Sequence, residues 1–219
     1  MQRNYDRVNS SKLRNINFKA GIEATCFDSG QLIPEKDGVF EIAIAGRSNV
    51  GKSSLINALL NAKLAKTGAT PGKTRSINFY QVSFTDSQNN NPRIFRLVDL
   101  PGYGYAARSK SERNDWQRLI SAYMRNRANL KFVCHLVDFR HGLLANDREL
   151  QEWLKNLGVN IFVVFTKADK IARGKWRGTL MQYVKSGLYS LDVPIITSSV
   201  SGKISGIDEL QDFIINHIS

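Results

Sequence analysis

Gly46-Arg47-Ser48-Asn49-Val50-Gly51-Lys52-Ser53 breaks off an apolar run, Val39 to Ala45, and leads into a stretch with Leu55, Ile56, Leu59 and Leu60 on one helical face. The octapeptide fits G-x-x-x-x-G-K-[ST], and a strand before it with a helix after it is the setting that pattern requires. Gly46 and Gly51 let the chain wrap closely, so that successive backbone N–H groups of the octapeptide are expected to point at a bound phosphate. Lys52 is expected to reach the outer phosphates of a nucleotide, and the Ser53 hydroxyl to ligate Mg2+.

Outward from this loop, short apolar runs alternate with amphipathic stretches. Val39 to Ala45, Ile77 to Phe84, Ile94 to Val98, Phe132 to Val137, Ile161 to Phe165 and Val193 to Thr197 are too short for typical helices and rich in Val, Ile and Phe. They read as strands, with Ile77 to Phe84 and Ile94 to Val98 as a hairpin closed by a loop at Gln88 to Asn91. Helical periodicity marks Lys52 to Asn61, Asp115 to Arg127, a segment capped by Asn146 or Asp147 that runs toward Gly158, Arg173 to Ser190, and Gly206 to Ile218. Alternating strands and helices predict an α/β fold of three layers, with a mostly parallel six-stranded sheet flanked by helices. Residues 1–24 are expected to form a partly flexible extension, and residues 25–219 a single domain. Ligands of such sheets bind beyond the carboxyl ends of the strands, which is where the remaining motifs fall.

Asp99-Leu100-Pro101-Gly102 follows the strand ending at Val98. An Asp at that place after a phosphate loop holds Mg2+ directly or through water, and the Gly102 N–H could bond a γ-phosphate. Thr166-Lys167-Ala168-Asp169 ends the strand Ile161 to Phe165. A carboxylate there accepts from N1–H and the exocyclic amine of guanine, a pair adenine lacks, while the Lys167 stem can lie along the base. Ser198-Ser199-Val200 would bring a backbone N–H to guanine O6. Between the first helix and the next strand, Thr70-Pro71-Gly72-Lys73-Thr74 suits a loop that closes over the nucleotide, with Arg75 and Ser76 completing it. Thr74, rather than Thr70, is assigned the second hydroxyl on Mg2+. Lys52, Thr74 and Gly102 are the residues expected to act on the reacting phosphate.

The 219 residues carry a formal net charge of +12, which attracts polyanions. Arg93, Arg96, Arg108, Lys110, Arg113, Arg118, Arg125, Arg127 and Lys131 face only Asp99, Glu112 and Asp115 in the same stretch, so the basic excess is expected to flank the nucleotide. No apolar run approaches the ~20 residues of a membrane span, and Met1 to Lys19 has no signal-peptide pattern, so a cytoplasmic protein is expected. Cys26 and Cys134 show no metal-ligand spacing, and His135, His141 and His217 read as structural.

These motifs, in this order, resemble the EngB (YihA/YsxC) family of bacterial ribosome-biogenesis GTP-binding proteins, within the TrmE/Era group of P-loop GTPases. The resemblance is carried by Gly46 to Ser54, Thr70 to Thr74 with Asn78-Phe79-Tyr80, Asp99-Leu100-Pro101-Gly102-Tyr103-Gly104-Tyr105, Trp116 to Tyr123, Asp138-Phe139-Arg140-His141 and Thr166 to Lys170. One departure is Ser201 to Ser205, longer than usual after the last motif. The resemblance implies a Ras-like fold, GTP or GDP with Mg2+, slow GTP hydrolysis, action as a switch in large ribosomal subunit assembly through the subunit precursor or its rRNA, and a need in septation. Nothing demands more than a monomer. Tyr103 stands where small signalling GTPases carry a water-orienting Gln, which predicts slow turnover without an activator. Asn49 matches the Asn that holds K+ in TrmE-like relatives; it could equally serve only to permit a tight loop. A GTPase acting on tRNA modification or at a membrane surface is the alternative reading, for which the chain shows neither a catalytic second domain nor a lipidation motif.

Overall fold

The computed structural model describes residues 18–66, 76–85, 92–104, 110–125, 127–200 and 203–218. The chain runs β1 (Lys19–Cys26), β2 (Phe40–Gly46), α1 (Lys52–Leu59), β3 (Ile77–Thr85), β4 (Pro92–Asp99), α2 (Lys110–Arg125) and β5 (Leu130–Asp138). It continues through α3 (Ala145–Asn156), β6 (Ile161–Thr166), α4 (Trp176–Lys185), β7 (Ile195–Ile196), β8 (Ser198–Val200), β9 (Lys203–Ser205) and α5 (Ile207–Ile218).

The main sheet has the order β1-β3-β4-β2-β5-β6-β7, seven strands where six were expected. The additional strand is β1, which pairs antiparallel with β3 and places Lys19 to Ala24 in the sheet. Its register shifts between Ile22 and Ala24, a bulge that leaves Glu23 free to turn toward Arg96. β3 and β4 are antiparallel, whereas β4, β2, β5, β6 and β7 run parallel. β2 therefore lies between β4 and β5, and the chain leaves it at the switch point where α/β sheets open a crevice.

Alternation along β2 sends its residues to two cores. Ile42 and Ile44 pack with Leu55, Ile56 and Leu59 of α1 and Leu210, Ile214 and Ile215 of α5. Ala43 and Ala45 pack with Leu119, Ile120 and Tyr123 of α2, Leu150 and Leu154 of α3 and Leu180 of α4. The three layers are thus two helices, the sheet, and three helices. Among the described residues, no helix is long and apolar enough to cross a membrane.

Several expected boundaries move. α3 starts earlier than expected: its N-cap is Leu144, and Asp147, three residues on, accepts the Leu144 N–H through Oδ2 at 2.9 Å. An acid at this third position reaches back to an N–H the helix cannot satisfy. The helix predicted over Arg173 to Ser190 is a 3-10 turn, Arg173–Lys175, followed by α4, and the chain leaves the helix by way of Gly187 at φ 88°. β7 keeps only Ile195–Ile196 of Val193 to Thr197. The predicted loop Gln88 to Asn91 lies outside the described residues, as do Thr70, Gly72, Lys73, Thr74 and Arg75.

The basic stretch from Arg93 to Lys131 is also less available than its composition suggested. Arg96 is 1% exposed, and its guanidinium donates to Glu23 at 2.9 Å, to the Pro34 carbonyl at 2.7 Å and to Glu41 at 3.1 Å. Arg127 lies 3.5 Å from Glu41 and donates to the Ile33 carbonyl. A fully buried Glu41 needs cations and donors around it, and these two arginines with the Tyr123 hydroxyl supply them.

Candidate functional site

Three loops meet beyond the carboxyl ends of β2, β4 and β6, and the phosphate loop after β2 is bonded to the other two. Gly46 is where the phosphate-loop sequence leaves β2, and a Cβ there would come within 2.8 Å of Val50 and 3.1 Å of Leu136, so the chain can turn tightly only with glycine. Asn49 and Gly51 take left-handed conformations, at φ 65° and 105°, and Val50 N–H bonds the Arg47 carbonyl at 3.1 Å. Asn tolerates this region better than other side chains, which accounts for Asn49 on local grounds. Gly51 then caps α1, so Lys52 and Ser53 open the helix, where N–H groups have no intrahelical partner.

β2 and β4 pair with Ile44 beside Asp99. That register carries Lys52 onto Asp99, and the Lys52 ammonium donates to Asp99 Oδ1 in a buried ion pair. Burial raises the Asp99 carboxyl above its ordinary range, while Lys52 and a hydrogen bond from Asn78 oppose the rise. The site thus gathers a cation, one hard carboxylate and the Ser53 hydroxyl at the N-terminus of α1, where the first N–H groups of the helix are unpaired within it; the Ser48 and Val50 N–H groups are instead given to the Tyr103 and Arg47 carbonyls. Leu100 N–H bonds the Ile44 carbonyl, and Gly102 sits on the phosphate loop: a Cβ there would lie 3.2 to 3.3 Å from Ser48. Pro101 is fixed through its carbonyl, which accepts from Trp116 Nε1 at 2.9 Å.

The third loop locks onto the first. Thr166 Oγ1 donates to the Val50 carbonyl at 2.7 Å, and Lys167 Nζ donates to the Asn49 carbonyl at 2.6 Å. Lys167 itself sits at φ 59°, a sparsely used region for a long side chain and one found at ligand clamps. Its ammonium also lies 3.3 Å from Asp138. Burial alone would raise the Asp138 carboxyl; hydrogen bonds from Arg140 and the nearby Lys167 bring it down to about 2.

Ala168 N–H bonds the Thr197 carbonyl at 3.2 Å, and Asp169 Oδ1 accepts the Ser199 N–H at 3.1 Å. That N–H, with the charge of Lys170, keeps the Asp169 carboxyl below its usual range. Asp169 thereby stays an acceptor, the state needed to read two adjacent N–H donors on a base. Ser198 lies in β8 and bonds Ser205 of β9 through their hydroxyls at 2.8 Å, so a short hairpin stiffens the Ser198 to Val200 segment. Residues 201–202 of the unusual insertion lie outside the described residues.

Of the sequence-predicted residues, Gly46 to Ser53, Asp99 to Gly102, Thr166 to Asp169 and Ser198 to Val200 are brought to this one end of the sheet; Ser76 precedes β3 and is buried. The sequence reading gave no role to Asp138, Trp116 or Asn78, each of which fixes a member of the site. Asp138 was legible in principle, being the acid at the end of the strand beside β6, in register with Thr166.

Comparison with known proteins gives a consistent answer. The family described as "50S ribosome-binding GTPase" matches residues 41–167. The "Probable GTP-binding protein EngB" of Shouchella clausii is 43% identical over 185 residues, covering 84% of this chain and 88% of that protein. Its namesake in Clostridioides difficile is 45% identical over 181 residues, covering 82% and 84%. A solved EngB structure superposes with a TM-score of 0.59 at 25% identity, over 81% of this chain and 98% of that one. Era from Aquifex aeolicus superposes equally well, TM-score 0.59 at 23% identity, with 57% of its own length covered, which is a likeness of fold.

Proposed function

Because the chain belongs to the EngB family of GTP-binding proteins, we propose that it is a guanine-nucleotide switch that hydrolyses GTP slowly and acts in assembly of the large ribosomal subunit. The observation that carries this reading is the interlocking of Thr166 and Lys167 with the phosphate loop, which sets a base-reading carboxylate, Asp169, at a fixed distance from the phosphate donors.

The donor set suits Mg2+. This ion takes hard oxygens, keeps several waters and is held by one or two protein ligands plus phosphate. Asp99 and the Ser53 hydroxyl are donors of that kind, and Thr74 is proposed as the second hydroxyl. When bound, the metal neutralises charge on the outer phosphates. Lys52 would turn from Asp99 to the phosphates, and Asp99 would be left to hold the metal. Guanine O6 is proposed to be met by a backbone N–H of the Ser198 to Val200 segment, beside Asp169, where the Ser199 N–H is itself given to the Asp169 carboxylate. With Tyr103 in place of a water-orienting Gln, turnover is set on the order of 10⁻⁴ to 10⁻³ s⁻¹, the range of a Ras domain without its activator. K+ held through Asn49 is proposed to accelerate it, and Na+ not to.

The ribosomal partner is supported by the description of the matched family and by the net charge of +12. An exposed basic segment adds to it: Arg173, Lys175, Arg177 and Lys185 are all exposed, as is Lys170 beside Asp169, and no acid lies between Asp169 and Asp192. A phosphate backbone is the complement of such a segment. A cytoplasmic monomer with a role in septation completes the reading.

The experiment is co-sedimentation of the purified protein with ribosomal subunits under GDP, GTP or a non-hydrolysable GTP analogue. Binding to the large subunit with the GTP forms, and loss of binding with GDP, is the expected result. Equal binding in every nucleotide state would remove the switch, and no binding in any state would remove the ribosomal partner.

A further inference from the structure

Tyr103, the residue after Gly102, is tied to the body of the protein at both its main chain and its side chain. Its N–H bonds the Gly46 carbonyl at 3.4 Å and its carbonyl accepts the Ser48 N–H at 3.0 Å, so the backbone forms a one-residue ladder with the phosphate loop. The side chain turns inward, 7% exposed, and stands edge-on to Trp116. Its hydroxyl donates to Asp147 Oδ1 at 2.6 Å and meets His135 Nε2 at 2.5 Å.

Every group in this chain of bonds has one consistent role. The Gln151 amide, held by the Tyr189 carbonyl at 3.3 Å, donates to His135 Nδ1 at 3.2 Å. His135 then carries its proton on Nε2 and donates to the Tyr103 oxygen, which leaves the Tyr103 proton for Asp147. The second Asp147 oxygen caps α3 through the Leu144 N–H. A phenol in an apolar core needs one partner; this one has a carboxylate and an imidazole, both buried, and Asp147 is charged at a site that would otherwise reject it. An apolar side chain would fill the same space without these groups.

We propose that Tyr103 is a positioning residue: its tether to Asp147 and His135 fixes Gly102 against Ser48 so that the site tells a nucleoside triphosphate from a diphosphate. The inference rests on the guanine-nucleotide reading above. Gly102 lies between two anchors, Trp116 on the Pro101 carbonyl and Tyr103 on α3 and β5, and a small displacement of a group that must meet one phosphate oxygen is costly in affinity and rate. The same bonds couple the turn to the N-terminus of α3, so a change at the third phosphate is felt there.

Tyr103→Phe tests it, because the ring stays and only the hydroxyl goes. Affinities for GDP and for a non-hydrolysable GTP analogue are measured on the folded protein, alongside single-turnover GTP hydrolysis and a thermal melt. The expected result is a roughly fivefold or larger loss for the GTP analogue, about the worth of one buried hydrogen bond, with GDP affinity changed less than about twofold. Hydrolysis falls with the analogue's affinity. Asp147→Asn retains an oxygen for the hydroxyl but none for the Leu144 N–H, so its melt is expected to fall while its ratio of the two affinities lies between wild type and Tyr103→Phe; that ratio is the readout if the Phe variant does not fold. A lower melting temperature with an unchanged ratio of the two affinities would make Tyr103 a packing residue and overturn the proposal. Failure of the wild-type protein to bind either nucleotide would instead overturn the function on which it rests.

Discussion

Asp169, proposed to read guanine through its two carboxylate oxygens, already takes the Ser199 N–H on Oδ1, so its direction is set before any base arrives. Exchange for Asn replaces one acceptor by an NH2 donor. The exocyclic amine of guanine then faces a donor, whereas xanthine, with an oxygen at that carbon, gains a partner. Asp169→Asn is expected to weaken GTP by about 10- to 100-fold and to favour XTP over GTP, read by competition binding; a variant still preferring GTP would show that another group reads the base. Lys52 and Asp99 illustrate a different economy of charge at the same scale. Each is nearly inaccessible and each neutralises the other, so the cation proposed to meet phosphate and the carboxylate proposed to hold metal are both kept in the fold. The spacing Gly46 to Ser53 announced Lys52, and Asp99 followed from its place at a strand end. Their mutual pairing did not, because it depends on the register of β2 against β4.

β1 and its attachment show the limit of reading elements from pattern. Its burial does not alternate, since Gly21, Ile22 and Thr25 are all exposed, so no period of two marks it. Beyond its ladder with β3, an ion pair ties it down: Glu23 bridges to Arg96 of β4, a strand two places away in the sheet, across β3. The Arg96 bonds, working against partial burial, bring the Glu23 carboxyl down from 4.5 to about 2. A carboxyl depressed by folding stabilises the native state above its unfolded pKa, and this stability is lost as pH falls through the native one. Glu23→Gln is therefore expected to cost about 1–2 kcal/mol in urea unfolding at pH 7. The difference from wild type should narrow below pH 4.5 and close near 2. A constant difference across that range would mean that Glu23 acts by shape alone. The parallel strands, by contrast, were plain in the sequence because both of their faces are covered and they read as continuous apolar runs.

At the scale of the whole molecule, the net charge pointed to a polyanion, but the sequence misplaced part of the surface that would meet it. Arg96 and Arg127 are spent on Glu41, and burial cannot be read from composition. The exposed segment around α4 remains. Replacing Arg173, Lys175 and Arg177 by Ala is expected to weaken binding to ribosomal particles. The slope of log K against log salt should flatten by up to ~2 to 3, at ~0.7 to 0.9 for each of three lost phosphate contacts. GTP affinity should stay within about twofold, since Asp169 and the phosphate loop are untouched. An unchanged slope would move the RNA contact elsewhere. The bulge in β1 has a consequence of another kind. Among the described residues nothing pairs with the outer side of this strand, which makes it a template onto which a second chain could add a strand. The shift at Ile22 and Ala24 interrupts the even spacing such an addition needs, and Lys19 sets a charge at the head of the strand. The irregularity that brings Glu23 to Arg96 thus also discourages filament growth along β1.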